Sequence, residues 1–172
     1  MSGIVIADAG PLVALARIKR LSLLQTLYGP VTVPQAVRKE PRLGSERPGA
    51  RLLSAALGAG VLQMRSLPSN LAPDSANLSL VLDTGEAEAI LLAEALCCRF
   101  LLIDERRARV VARRRGVPVV GLSGLLLAAK RHRLVHAMAP LLETLKPQGY
   151  RLSDTLVDEV LRLAGEARPA RQ

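Results

Sequence analysis

Four acids in this chain stand where an acid can do chemistry. Asp8 directly follows the apolar run Ile4-Val5-Ile6-Ala7, and Asp104 directly follows Phe100-Leu101-Leu102-Ile103. Binding sites of open α/β sheets form beyond the carboxyl ends of strands, where strand order reverses, so both carboxylates are candidates for such a site. Each also has a plainer role, because an Asp at a strand end can cap the helix that begins next. Glu40 closes Pro34-Gln35-Ala36-Val37-Arg38-Lys39-Glu40, three residues after Val37 and four after Ala36. If that segment is helical, Glu40 shares its inward face; the alternative is a solvated acid paired with Arg38 or Lys39. Glu86 lies in Asp83-Thr84-Gly85-Glu86, with Ile90 and Ala93 four and seven residues on, and the Asp83/Glu86 spacing also fits a capping box. Taken as a set, the four carboxylates form the hard-oxygen site that Mg²⁺ or Mn²⁺ prefers, and without a cation such a cluster repels itself. His132 and His136 fall on late helical segments remote from the acids and read as surface residues.

The elements that must position these acids follow from the alternation of short apolar runs with longer helical patterns, which predicts a parallel sheet wrapped by helices. Strands are expected at Ile4 to Ala7, Val31 to Val33, Val61 to Arg65, Phe100 to Ile103 and Val117 to Val120. Helices are expected from Pro11 to about Leu27, Pro34 to Pro41, Pro48 to about Ala59, Gly85 to Cys97, Arg106 to Arg115, Leu122 to His132, Val135 to Leu145, and Ser153 to Ala164 with Ser153 as cap. The polar stretch Arg42 to Arg47 and the Pro/Ser/Asn-rich stretch Leu67 to Asn77 read as loops. The fold class is therefore α/β, and 172 residues suit one domain, expected over residues 1–166 with a frayed tail at 167–172.

Composition narrows what such a site could act on. Nearly half of the residues are apolar, so the chain should fold, but it has one Phe, two Tyr and no Trp. A row of base-stacking platforms is thereby excluded, and any contact with nucleic acid must rest on charge. Residues 1–98 hold 9 basic and 8 acidic side chains, whereas residues 99–172 hold 15 and 7, so the second half carries the positive field. Such a field attracts RNA, DNA or an acidic protein; the plainer reading is a charge background that maintains solubility. Arg106, Arg109 and Arg113 fall at i, i+3 and i+7 on the helix after Asp104, one stripe along which an RNA backbone could run beside the acids. Cys97 and Cys98 are adjacent, which disfavours a disulfide between them, and read as small buried residues. No leader-like or membrane-length apolar run occurs, so the expected location is a reducing cytoplasm with no membrane.

The blocks around the acids resemble the PIN-domain family, and within it the branch of small toxin ribonucleases related to VapC, over about Ile4 to Glu166. Val5-Ile6-Ala7-Asp8-Ala9-Gly10-Pro11-Leu12 is similar to the family's first strand and first metal-binding Asp, and Val33-Pro34 through Glu40 to its second acidic segment. Leu82-Asp83-Thr84-Gly85-Glu86-Ala87-Glu88-Ala89-Ile90 resembles the third block, Leu102-Ile103-Asp104-Glu105 through Arg109 the fourth, and Gly121 through Lys130 extends the match. The resemblance implies a three-layer fold with a five-stranded parallel sheet. It also implies a metal site of Asp8, Glu40, Glu86 and Asp104, with Glu105 as a further ligand or a solvent-facing residue. Asp83 and Glu88 compete with Glu86 for the third position, but the Glu86 to Ala93 spacing fits the block better.

The activity so implied is RNA phosphodiester hydrolysis leaving a 5′-phosphate and a 3′-hydroxyl, with one or two divalent ions activating water and neutralising the leaving oxygen. The implied partners are RNA, a small antitoxin that inserts a basic side chain among the carboxylates, and a second copy of the chain. The nearly all-apolar Ala87 to Cys97 segment, too apolar for one buried face, also points to a dimer. Two departures support a different reading. Gly10 and Leu102 stand where many members carry a hydroxyl that supports the acids, which suits a PIN-like module that binds RNA or protein with weakened or no nuclease activity. Haloacid-dehalogenase-like phosphatases also place an Asp after the first strand, but they need a second Asp two residues later, and Gly10 occupies that position.

Overall fold

The computed structural model describes residues 3–39, 48–148, 150 and 152–167. Its centre is a sheet of five parallel strands, β1 (Val5–Ala7), β2 (Val31–Pro34), β3 (Leu62–Arg65), β4 (Phe100–Leu102) and β5 (Val119–Val120), in the order β3-β2-β1-β4-β5. From β1 the chain first winds outward through β2 and β3, then returns to place β4 on the other side of β1. The order therefore reverses between β1 and β4. The register there pairs Val5 with Phe100, Ile6 with Leu101 and Ala7 with Leu102.

Side chains alternate across a strand, and here the alternation divides the interior into two cores. Val5, Ala7, Val31, Val33, Phe100 and Leu102 face one layer. That layer contains α1 (Ala9–Arg17), α2 (Ser22–Tyr28), α3 (Pro48–Gly58), α7 (Leu122–Arg131), α8 (Ala139–Leu145) and α9 (Asp154–Leu163). Ile6, Leu101 and Ile103 face the other, formed by α5 (Thr84–Ala95) and α6 (Arg106–Arg114). A short α4 (Ala72–Leu78) packs on α5. The expected three-layer α/β architecture is thus the observed one.

Several boundaries differ from the sequence reading, each for a local reason. The single helix expected from Pro11 is two: α1 starts at Ala9 behind the Asp8 cap and ends where Lys19 takes a left-handed conformation with φ 56°. The Arg20 amide then donates to the Leu15 carbonyl at 2.8 Å, a glycine-type helix ending made without glycine. Pro34 does not open a helix; it ends β2 in register with Arg65, and residues 35–39 form a 3₁₀ turn. Residues 69–78, expected as a loop, contain a 3₁₀ turn and α4 with Pro73 in its first turn; no residue of α4 is buried, so no apolar stripe announced it. The helix expected from Val135 starts only at Ala139, with Pro140 in its first turn. Cys98 is buried as expected, but Cys97 is exposed in a left-handed turn.

Helix α5 is buried on most of its circumference, through Ala87, Ala89, Ile90, Leu91, Leu92 and Ala93. It packs on β1, β2, β4, α4 and α6. Its apolar composition is therefore satisfied within one chain and does not itself call for a second copy. Among the described residues, no helix is long and apolar enough to cross a membrane.

Candidate active site

Asp8 and Asp104 lie at the carboxyl ends of β1 and β4, the two strands between which the order reverses. The Asp8 amide donates to the Leu102 carbonyl at 3.0 Å, so the ladder runs up to the first acid. The Asp8 side chain is buried and caps α1, accepting from the Gly10 amide at 3.4 Å. Capping and facing the site are not exclusive here, because an N-cap carboxylate keeps a second oxygen. A Cβ at Gly10 would lie 3.6 Å from Asp8 Oδ2, an ordinary contact, so the glycine supports this acid through its amide without being required by space.

Asp104 does not cap the helix that follows it. That cap is Glu105, whose carboxylate accepts from the Arg107 amide at 3.3 Å. Asp104 reaches across to the start of α7, where Oδ1 accepts from the Leu122 amide at 2.9 Å. Its second oxygen, Oδ2, is buried without a hydrogen-bond partner. Burial pushes the Asp104 carboxyl above the usual range, opposed by the Tyr150 hydroxyl, the Leu122 amide and the Arg109 guanidinium. Gly121 makes this crossing possible: a Cβ there would lie 2.9 Å from Asp104 Oδ1 and 3.0 Å from Arg109 Nη1. Leu102, which replaces a hydroxyl of the wider family pattern, is fully buried in the core and takes no part.

Glu86 occupies the first turn of α5, where it forms the capping box with Asp83 and accepts the Asp83 amide at 3.1 Å. The cap does not remove it from the site, because Asp8, Asp83, Glu86, Asp104 and Glu105 all line one cavity of about 1280 Å³. Desolvation pushes the Glu86 carboxyl up to about 7; the Asp83 amide opposes this, while the charges of Asp8, Asp83 and Glu105 add to it. Glu88 lies elsewhere, its carboxylate accepting the Ala36 amide at 3.1 Å and tying α5 to the 3₁₀ turn after β2. Glu40 lies outside the described residues, immediately after that turn.

The three arginines of the expected stripe part company. Arg109 is half-buried and lines the cavity, whereas Arg106 and Arg113 are exposed and do not. Arg107 and Arg17 line it instead. Tyr150, Gly121 and Arg107 were not expected at the site. Tyr150 carries no local signal, because it follows the 3₁₀ turn Lys146–Gln148 and reaches Asp104 only through the fold. His132 and His136 are exposed and outside the cavity lining.

The donor chemistry fits a divalent cation. The carboxylates are hard oxygen ligands, Asp104 Oδ2 is an orphaned buried acceptor, and Glu86 is raised first by desolvation and further by the charges of Asp8, Asp83 and Glu105. Among the described residues, no three His, Cys, Asp or Glu side chains stand close enough together to hold a metal as they are.

A pH dependence follows from Glu86. A carboxyl whose folded pKa is raised binds its proton more tightly when folded, so stability falls as pH rises through the window from the unfolded value of about 4.5 to about 7. Melts in EDTA should therefore show the wild type gaining stability from about pH 7.5 to about pH 4.5, across that window. Glu86→Gln should flatten that gain; an unchanged slope in the variant would remove Glu86 as its source.

A family model described as a PIN domain matches residues 4–166. No curated protein and no solved structure matches the chain.

Proposed function

Because the chain belongs to the PIN-domain family, a nuclease-type fold, we propose that it is a metal-dependent endoribonuclease hydrolysing RNA phosphodiester bonds, the toxin component of a type II toxin–antitoxin pair. The observation that carries this reading is that Asp8, Glu86 and Asp104, from three separate segments, open on one cavity at the reversal point of the sheet. Asp8 and Glu86 also serve as caps, but Asp104 does not cap the helix that follows it, since Glu105 does, and its buried Oδ2 has no hydrogen-bond partner.

Asp8, Glu86 and Asp104, with Glu40 and Glu105 as further ligands, would hold Mg²⁺ or Mn²⁺. When bound, the ion supplies Lewis acidity and neutralises charge at the phosphodiester. The residues of the chain hold the site in shape. The Leu122 amide fixes one oxygen of Asp104 and leaves the other for a ligand, and the Gly10 amide holds Asp8. Arg107 and Arg109 offset the negative cavity so that a polyanion can enter it. Both acids therefore have a backbone donor although residues 10 and 102 carry no hydroxyl.

The apolar rim supports a protein partner. Leu80, the most exposed large apolar side chain at 83%, Val81, Leu156 and Leu163 surround the acidic cavity. That combination suits an antitoxin segment with apolar residues for the rim and a basic side chain for the carboxylates. A cytoplasmic location follows from this reading, as does a reduced state for Cys97.

The alternative, a binding module with weakened nuclease activity, is favoured by the absence of three converged ligands among the described residues. Purified protein incubated with single-stranded RNA separates the two. Cleavage that needs Mn²⁺ or Mg²⁺ and falls on the order of 100-fold in Asp8→Asn supports the enzyme. RNA binding without cleavage at any metal concentration would establish the module, and cleavage undiminished in the variant would refute the assigned site. Co-purification of a small protein encoded beside this chain, lost on Leu80→Asp, would support the toxin role.

A further inference from the structure

A cavity lined with carboxylates repels a phosphodiester, so a site that accepts RNA needs a fixed positive group inside it. Arg109 is placed to be that group. It lies one helical turn after Glu105, whose carbonyl accepts the Arg109 amide at 2.9 Å, and its guanidinium passes over Gly121 into the cavity beside Asp104. The slot exists because residue 121 lacks a side chain; a Cβ would stand 3.0 Å from Arg109 Nη1. Two surface arginines elsewhere pair with acids, Arg115 with Glu94 and Arg162 with Glu159. Arg109 forms no ion pair of that kind with any described residue, although Asp104 feels its charge. Its fork of N–H donors therefore reaches the cavity through the slot over Gly121 without an ion-pair partner among the described residues. The Tyr150 hydroxyl lines the same cavity but donates its one proton to the Asp104 carboxyl, which leaves Arg109 as the donor beside that acid.

We propose that Arg109 forms an anion subsite inside the cavity that grips the nonbridging oxygens of the RNA phosphodiester next to Asp104. This rests on the reading of the cavity as a phosphodiester site. It separates Arg109 from Arg106 and Arg113, which contribute only to the general positive field. A planar guanidinium meets two phosphate oxygens at once, which an ammonium cannot, so the subsite depends on Arg and not on charge alone.

The test uses the whole chain in EDTA with two probes, a labelled single-stranded RNA oligonucleotide and inorganic phosphate, and needs no turnover. Arg109→Gln should weaken RNA binding on the order of tenfold or more, with Arg109→Lys recovering only part. Gly121→Ala should weaken it with Arg109 still present. Arg106→Gln and Arg113→Gln should each lower the salt slope by about one and leave phosphate binding intact. In wild type, phosphate should shift the Arg109 Nε–H resonance, assigned by through-bond connectivity in the wild-type protein, so the result does not depend on how well any variant folds. If RNA binds equally to wild type and Arg109→Gln and phosphate leaves that resonance unmoved, the subsite is wrong while the nuclease reading stands. A resonance that moves with phosphate in a protein that binds no RNA would keep the subsite and overturn RNA as the substrate; no response to either probe overturns both.

Discussion

Asp104→Asn is expected to melt above the wild type in EDTA and below it in millimolar Mn²⁺, with RNA cleavage reduced at least about 100-fold. In chelator the ionised carboxylate is unfavourable, because burial raises its pKa and Oδ2 has no partner. Asn removes the charge and can keep the bond from the Leu122 amide through its carbonyl oxygen, so a gain of about 1 kcal/mol, a few degrees in a chain of this length, is expected. Manganese reverses the order. A ligand that binds only the folded form stabilises wild type by about 2.7 kcal/mol at a hundred times its dissociation constant, and the variant has lost one of its donors. If Asp104 only tied α7 to β4, Asn would serve equally well with and without metal, and the two melting curves would stay parallel. Parallel curves, with no metal response in wild type, would sink the metal site.

The sheet could be read from sequence because the central parallel strands, buried on both faces, appear as short apolar runs, and each of the five expected runs overlaps an observed strand. Asp8 and Asp104 could be placed for the same reason, each being the acid at or just beyond the end of a central run. What holds Asp104 could not. Gly121 has an ordinary φ of −95°, so nothing local marks it; only the close approach of Asp104 and Arg109 requires a glycine there. Tyr150 meets Asp104 from the far end of the chain, a contact without periodicity. The arginine stripe was legible as spacing, but spacing does not tell which member enters a slot and which faces water. Helix α4 and the break between α1 and α2 were missed because the first buries nothing and the second turns on Lys19, a residue type that does not advertise a left-handed conformation.

Glu166→Ala is expected to cost the protein about 2–4 kcal/mol without altering metal binding. Helix α8 begins behind Met138, whose side chain cannot cap it, and Pro140 follows within its first turn. The missing cap comes from beyond α9: the Glu166 carboxylate accepts the Met138 amide at 2.7 Å and the Ala139 amide at 3.0 Å, and it pairs with Lys130 of α7. Although desolvation opposes ionisation, these partners hold the Glu166 carboxyl below its usual range. Its stabilisation is therefore complete above the unfolded value of about 4.5 and is lost as pH falls through the folded one. Alanine leaves two amides and a partly buried ammonium without their acceptor, which is why the cost exceeds that of an exposed ion pair. Glu166→Gln should recover part of the loss, since one amide oxygen can still accept, and should remove the acid sensitivity. The same contact makes the expected domain boundary at residue 166 testable. A chain ending at Ala167 should melt with the full-length protein, whereas one ending at Leu163 should melt as Glu166→Ala or lower. Equal melting of the two truncated chains would show that this carboxylate does not fasten the C-terminal helix to the domain.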